Sequence, residues 1–131
     1  MQIRIAIDED LESLALMFDE YRKSLGKASD LQGGREFIES RLLENDSVIF
    51  IALRFSEPVG FIQLYPSFSS SLLKPLWYFD DLYVDELYRG QGIARDLVAK
   101  AKELADETQV LAVRRERLEG NGFIPIESFS I

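Results

Sequence analysis

Along the 131 residues the apolar positions change period several times, and each change marks an element. Ile3, Ile5 and Ile7 alternate with Gln2, Arg4 and Ala6, which predicts a strand over Ile3 to Ile7 with one buried face. Asp8 then reads as a helix N-cap, with Glu9, Asp10 and Glu12 suited to the positive end of the dipole. Leu11, Leu14, Ala15, Phe18 and Leu25 follow helical spacing up to a stop at Gly26. A loop through Gly33-Gly34 leads to a second helix, about Arg35 to Glu44, with Phe37, Ile38, Leu42 and Leu43 facing inward. Asn45-Asp46 closes that helix. Ser47 to Phe55 and Val59 to Tyr65 read as antiparallel partners across a turn of Ser56, Glu57 and Pro58, and Pro66 to Pro75 as an irregular loop. Trp77 to Val84 is a third, aromatic strand, from which Asp85 to Tyr88 turns out. The next helix carries Ile93, Leu97, Val98, Ala101 and Leu104 on one face as far as about Ala105. Val110 to Val113 as a strand, a helical turn over Arg114 to Glu119 and a last strand from Phe123 to Ile131 complete the order. The expectation is an α+β (mixed α/β) single domain over residues 1–131, built around one sheet.

Composition narrows the chemistry. The chain has no Cys and no His, so disulfides, thiolate zinc sites, imidazole bases and Ser-His-Asp triads are excluded. Carboxylates, hydroxyls, amines, backbone groups or a bound cosubstrate must do the work, and no metal is expected. Fifteen Lys plus Arg against 23 Asp plus Glu give a net charge of −8, which disfavours nucleic acid as a partner and favours a cationic one. The longest apolar run, Val48 to Leu53, is far short of the ~20 residues of a membrane helix. An acidic cluster at residues 8–10 stands where a signal peptide would be apolar, so a cytoplasmic setting is expected.

The segment richest in chemistry runs from Asp80 to Lys100. Gly90 and Gly92 at the mouth of a helix allow close approach of a ligand to the backbone, and the first-turn N–H groups with the helix dipole favour an anion. Arg89 and Arg95 flank the loop. On the glycines alone, a phosphate site and a plain strand-to-helix turn are both open readings. A dinucleotide fingerprint is excluded by the bulky Arg95 at its third small position, and a P-loop by the absence of Gly-Lys-Ser or Gly-Lys-Thr.

The pattern Arg-x-x-Gly-x-Ala at Arg89, Gly92 and Ala94, after Asp81-Leu82-Tyr83-Val84, resembles the acyl-CoA-binding motif of the GNAT superfamily of N-acetyltransferases. The element order and Asn121-Gly122-Phe123 resemble that family as well, so the likeness spans essentially the whole chain. Gly60 to Phe68 followed by Asp80 to Val84 looks most like the branch that acetylates small amines, polyamines or lysine side chains. The resemblance implies acetyl-CoA as cosubstrate, a homodimer, and direct attack by a primary amine. It implies that Arg89, Gly90, Gln91, Gly92, Ile93, Ala94 and Arg95 meet the pyrophosphate, while Leu82, Tyr83 and Val84 meet the pantetheine arm by edge pairing. A backbone N–H near Leu82 would stabilise the oxyanion. Leu118 stands where the family commonly has a Tyr that protonates the leaving thiolate, and Tyr88 is a substitute for it.

An alkylammonium deprotonates with a cost of roughly 4.6 kcal/mol at pH 7, so a base or a desolvating pocket is needed. Asp80, Asp81 and Glu57 are the candidate bases. Strict alternation sets Trp77, Phe79, Asp81 and Tyr83 on one face and Tyr78, Asp80, Leu82 and Val84 on the other, unless a bulge intervenes. Both carboxylates can also be read as merely solvated or ion-paired. Tyr65, Phe68, Trp77, Tyr78 and Tyr83 suit either stacking on a cationic acceptor or an ordinary core, and Glu20 and Tyr21 either an acceptor pocket or plain surface. The functional alternatives to an enzyme are a catalytically weak acyl-CoA-binding module and a protein-interaction domain with a vestigial loop.

Overall fold

The computed structural model describes residues 1–70, 73–108, 111–115 and 123–125. Six strands form one sheet in chain order: β1 (Gln2–Ile5), β2 (Val48–Arg54), β3 (Glu57–Ser69), β4 (Lys74–Val84), β5 (Leu111–Arg115) and β6 (Phe123–Pro125). All neighbours are antiparallel except β4 and β5, which are parallel and joined by a helical crossover. The helices are α1 (Leu11–Ser24), α2 (Leu31–Glu44) and α3 (Ile93–Thr108). This is the mixed α/β arrangement that the sequence predicts. No helix among the described residues is long and apolar enough to cross a membrane.

The sheet buries both faces. Ala52, Ile62, Leu64, Phe79 and Val84 pack with Ile93, Leu97, Ala101 and Ala105 of α3 on one side. Ile49, Ile51, Leu53, Phe61 and Tyr83 pack with Leu14, Phe18, Tyr21 and Ile38 of α1 and α2 on the other. A central strand covered on both faces must be nearly continuously apolar, which accounts for the run Val48 to Leu53.

Several local expectations are corrected. β1 is an edge strand ending at Ile5, and Ile5 and Ile7 are about half exposed while Ala6 is buried. Asp8 opens a short 3-10 turn, and the capping group is Asp10, whose carboxylate accepts from Ile7 N at 2.7 Å and pairs with Arg4 at 2.8 Å. Gly33-Gly34 lie inside α2, because Asp30 starts that helix early by accepting from Gly33 N at 3.0 Å. A Cβ on Gly34 would stand 3.2 Å from Phe18, so the glycine lets α1 and α2 approach closely. Leu43 points to solvent. Asn45, left-handed at φ 52°, closes α2 as expected.

The β2–β3 turn is tighter than predicted. Phe55 and Ser56 both have positive φ, as a two-residue primed turn requires, and Glu57 begins β3 opposite Arg54. The β3–β4 hairpin absorbs most of the segment read as loop, with pairing from Gly60↔Val84 out to Ser69↔Lys74. Arg114 and Arg115 continue β5 rather than turning into a helix. Leu118, Asn121-Gly122 and the predicted end of the last strand, 126–131, lie outside the described residues.

Candidate active site

β4 contains a bulge that organises the site. Gln63 pairs with Asp81 and Leu64 with Phe79, which leaves Asp80 as the extra residue. The inserted residue resets the alternation. Trp77 and Phe79 therefore share the α3 face with Leu82 and Val84, whereas Tyr83 joins the α1/α2 face. Trp77 donates from Nε1 to Thr108 Oγ1 at 3.1 Å on the α3 side, away from the other cleft aromatics. Tyr78 lies against Tyr65, with ring centroids 5.4 Å apart and planes tilted by 32°.

Beyond the bulge, β4 presents an edge that no strand among the described residues pairs with. Pairing with β5 runs from Leu76 to Phe79 and stops there. Asp85 N donates to Val59 O at 2.8 Å, and a Cβ at Gly60 would stand 2.7 Å from the Tyr83 carbonyl oxygen, so the main-chain groups of Tyr83 and Asp85 face β3. In an antiparallel strand successive residues alternate in this respect, which turns the main-chain groups of Leu82 and Val84 the other way. On that outer side Arg89 Nε donates to Val84 O at 2.8 Å, while the guanidinium lies 5.8 Å from the centre of the Tyr83 ring.

The connection from β4 to α3 is built from caps and positive φ values. Asp85 accepts from Leu87 N at 2.9 Å and starts a 3-10 turn over Glu86–Tyr88. Gly90 and Gly92 follow with φ of 81° and 85°, a conformation that side chains resist; neither has an atom within 4 Å of where a Cβ would be. The first intrahelical bond runs from Asp96 N to Gly92 O, so the amides of Ile93, Ala94 and Arg95 precede any intrahelical acceptor. A cavity of about 340 Å³ collects these parts. It is lined by Leu82, Tyr83, Val84, Tyr88, Arg89, Gly90, Gly92, Ile93 and Ala94, with Tyr21 and Ser24 of α1 as the opposite wall. Gln91 and Arg95 are exposed and outside this lining.

Asp81 is held by two phenols from two other elements. Tyr21 of α1 donates to Oδ1 and Tyr65 of β3 to Oδ2, each at 2.9 Å. Burial, and then the charge of Asp81, push the Tyr65 phenol far above its ordinary range. Burial, with Asp85 and Glu20 following, also raises the Tyr83 phenol. Of the other residues singled out in the sequence, Glu20 is exposed and paired with Lys23 at 2.9 Å, Phe68 is 82% exposed on the hairpin, and Glu57 sits exposed at the β2–β3 turn. None of the three lines the cavity. The sequence reading missed Ser24, the Arg89–Val84 bond and the tyrosine pair on Asp81. A signal for one was present: Tyr21 continues the buried stripe Leu14, Phe18 at helical spacing, whereas Glu20 falls off it.

Comparison with known proteins gives the family of the fold. The model of the acetyltransferase (GNAT) family matches residues 14–119. An uncharacterized N-acetyltransferase, YhfO of Bacillus subtilis strain 168, is 40% identical over 107 residues, which make up 82% of this chain and 72% of that protein. A crystal structure of a probable acetyltransferase superposes with a TM-score of 0.84 at 41% identity, covering 92% of this chain and 82% of the other. A predicted acetyltransferase from Clostridium acetobutylicum, crystallised with acetyl-CoA, shares the fold at a TM-score of 0.69 and 16% identity, covering 83% of this chain and 75% of that one. The chain belongs to the GNAT family, the acyl-CoA-dependent N-acetyltransferases.

Proposed function

We propose that the protein transfers the acetyl group of acetyl-CoA to a primary amine by direct attack, with no covalent enzyme intermediate. The observation that carries this reading is the outward-facing main chain of Leu82 and Val84, set in a cavity that ends on the Gly90–Gly92 loop. An extended pantetheine arm fits a strand edge that no described strand covers, and a pyrophosphate fits amides at a helix start. Acetyl-CoA supplies the activated acyl group. The chain does the rest. The N–H of Leu82 points at the thioester oxygen and stabilises the charge that develops on it, while Arg89 and the amides of Ile93 and Ala94 hold the phosphates. Asp81 takes the proton released from nitrogen, with Asp80 beside it at the bulge. With no His and no Cys in the chain, these groups suffice for a one-step transfer.

The acceptor is a cationic amine, a small amine or a lysine side chain, in keeping with the net charge of −8 and with Tyr65 and Tyr78 beside Asp81. A single domain over residues 1–131, a homodimer and a cytoplasmic setting complete the proposal. Calorimetric titration with acetyl-CoA tests the cofactor site. Saturable binding is expected, and Arg89→Ala should weaken it by roughly 10- to 150-fold, the worth of a hydrogen bond to a charged group. No heat at millimolar ligand would sink the reading. Release of free CoA on adding an amine distinguishes an enzyme from a binding module.

A further inference from the structure

We propose that Tyr21 is a catalytic residue, the hydroxyl through which the proton of the acceptor nitrogen reaches Asp81. The inference rests on the reading of acetyl transfer to an amine and adds a group to it. Tyr21 lines the cavity together with Leu82, whereas Asp81 is absent from that lining. The two are joined by the 2.9 Å bond from Tyr21 Oη to Asp81 Oδ1. The second carboxylate oxygen is already engaged by Tyr65 at 2.9 Å. A nitrogen attacking a thioester held in the cavity therefore stands against a wall that includes Tyr21, and the hydroxyl of that residue leads to the carboxylate. The hydroxyl is placed rigidly: Tyr21 is 4% exposed, packs edge-on to Phe61 at 5.9 Å and lies against Phe18 at 6.3 Å.

The step balances without a co-reactant. Attack forms the C–N bond and leaves nitrogen positively charged and acidic. Its N–H bond then breaks as a new O–H bond forms at Tyr21, and the original Tyr21 O–H breaks as Asp81 gains the proton. The N–H electron pair stays on nitrogen. Collapse of the adduct breaks the C–S bond, whose electron pair leaves with sulfur, and Asp81 returns its proton to solvent. Tyr21 ends as it began and never carries a full charge, so its high intrinsic pKa is no obstacle. Tyr65 donates to the same carboxylate and is not part of the cavity wall, which makes it a positioning residue.

The two phenols are thus distinguishable by experiment. Tyr21→Phe keeps the ring and its packing, and Tyr65→Phe does the same for the other phenol. Acetyl-CoA binding is measured by calorimetry on all three proteins. Turnover is followed as CoA release with spermidine, 1,5-diaminopentane and a lysine-bearing peptide. Tyr21→Phe is expected to bind acetyl-CoA as the wild type does and to lose about 10²- to 10⁴-fold in kcat, the usual worth of proton transfer in a transition state. Tyr65→Phe is expected to lose about tenfold, the low end of the worth of a hydrogen bond to a charged group. In mixtures of light and heavy water, kcat/KM of the wild type for the amine should fall along a curve, for two protons in motion. A straight line overturns the relay without recourse to any variant, as do equal losses in the two variants or a Tyr21→Phe protein of normal kcat. Acetyl-CoA binding with no turnover of any amine also overturns it while leaving the cofactor site intact, whereas absence of binding removes the underlying reading itself.

Discussion

Gly60 links the stability of the sheet to the edge proposed to hold acetyl-CoA, and Gly60→Ala separates the two. The residue sits in β3 opposite Val84. A Cβ there would lie 2.7 Å from the Tyr83 carbonyl oxygen, 3.4 Å from Val84 Cα and 3.5 Å from Leu97 Cδ1. The first of these is main chain and has no rotamer to escape into. Reaching ordinary contact requires about 0.7 Å of movement in the strand, and overpacking of this kind costs roughly 1–3 kcal/mol. The displaced segment is Leu82 to Val84, whose opposite edge lines the cavity. Urea unfolding should therefore show that loss at unchanged m-value, and acetyl-CoA affinity of the remaining folded protein should fall about tenfold or more. Gly34→Ala is the control. Its Cβ meets only the Phe18 side chain, at 3.2 Å between α1 and α2, so it should affect stability and leave acetyl-CoA affinity alone. A Gly60→Ala protein with wild-type affinity would refute the link between this strand edge and cofactor binding.

Gly92→Ala meets no neighbour but must hold φ near 85°, so calorimetry should show about 1–2 kcal/mol lost to strain and weaker acetyl-CoA binding. Asp10 is held below its ordinary pKa by Arg4 and Ile7 N, and Asp19 by the Ser29 hydroxyl and Asp30 N. The unfolded chain thus takes up protons first: stability from both groups is present above about pH 4 and lost as pH falls through the folded values, and Asp10→Asn should flatten that acid limb in urea midpoints. Burial and the charge of Asp81 keep Tyr65 protonated late, and burial does the same to Tyr83, so in ultraviolet titration a late-ionising fraction is expected that Tyr65→Phe reduces by one phenol without abolishing it. A single transition for all five tyrosines near pH 10 would contradict it.

What was legible in the sequence was the local code. The helical stripe through Leu14 and Phe18, the left-handed stop at Asn45 and the glycines ahead of Ile93 each follow from near neighbours in the chain. What was not legible depends on groups brought from elsewhere. Ile5 and Ile7 look like one buried face, but β1 has a partner on one side only, and burial there falls to Ala6. Gly33-Gly34 reads as a loop because the pair is a poor helix former, and the Asp30 cap with the close packing on Phe18 overrides that propensity. Pro66 to Ser69 is strand because β4 supplies a partner for it, a pairing that composition does not reveal. At the site, Asp81 was recognisable as a carboxylate of interest. Its two phenol donors stand 60 and 16 residues away in the chain, and only the fold brings them together.

The bulge at Asp80 explains how a chain without His or Cys arrives at a usable site. Without it, Trp77 and Phe79 would share a face with Asp81 and Tyr83, and a carboxylate would lie among the residues packed on α3 or two aromatics would leave that core. One inserted residue resolves the conflict, since the apolar residues on both sides of it then face α3 and Asp81 faces the tyrosines. The same irregularity marks the end of pairing with β5, at Phe79 and Arg114, although β5 itself continues to Arg115. The main-chain edge beyond β5 and the phenol-bound, half-buried carboxylate are thus consequences of a single departure from regular strand geometry. Because they arise at the same point, the proposed proton acceptor and the edge proposed to hold a thioester are only one or two residues apart on β4.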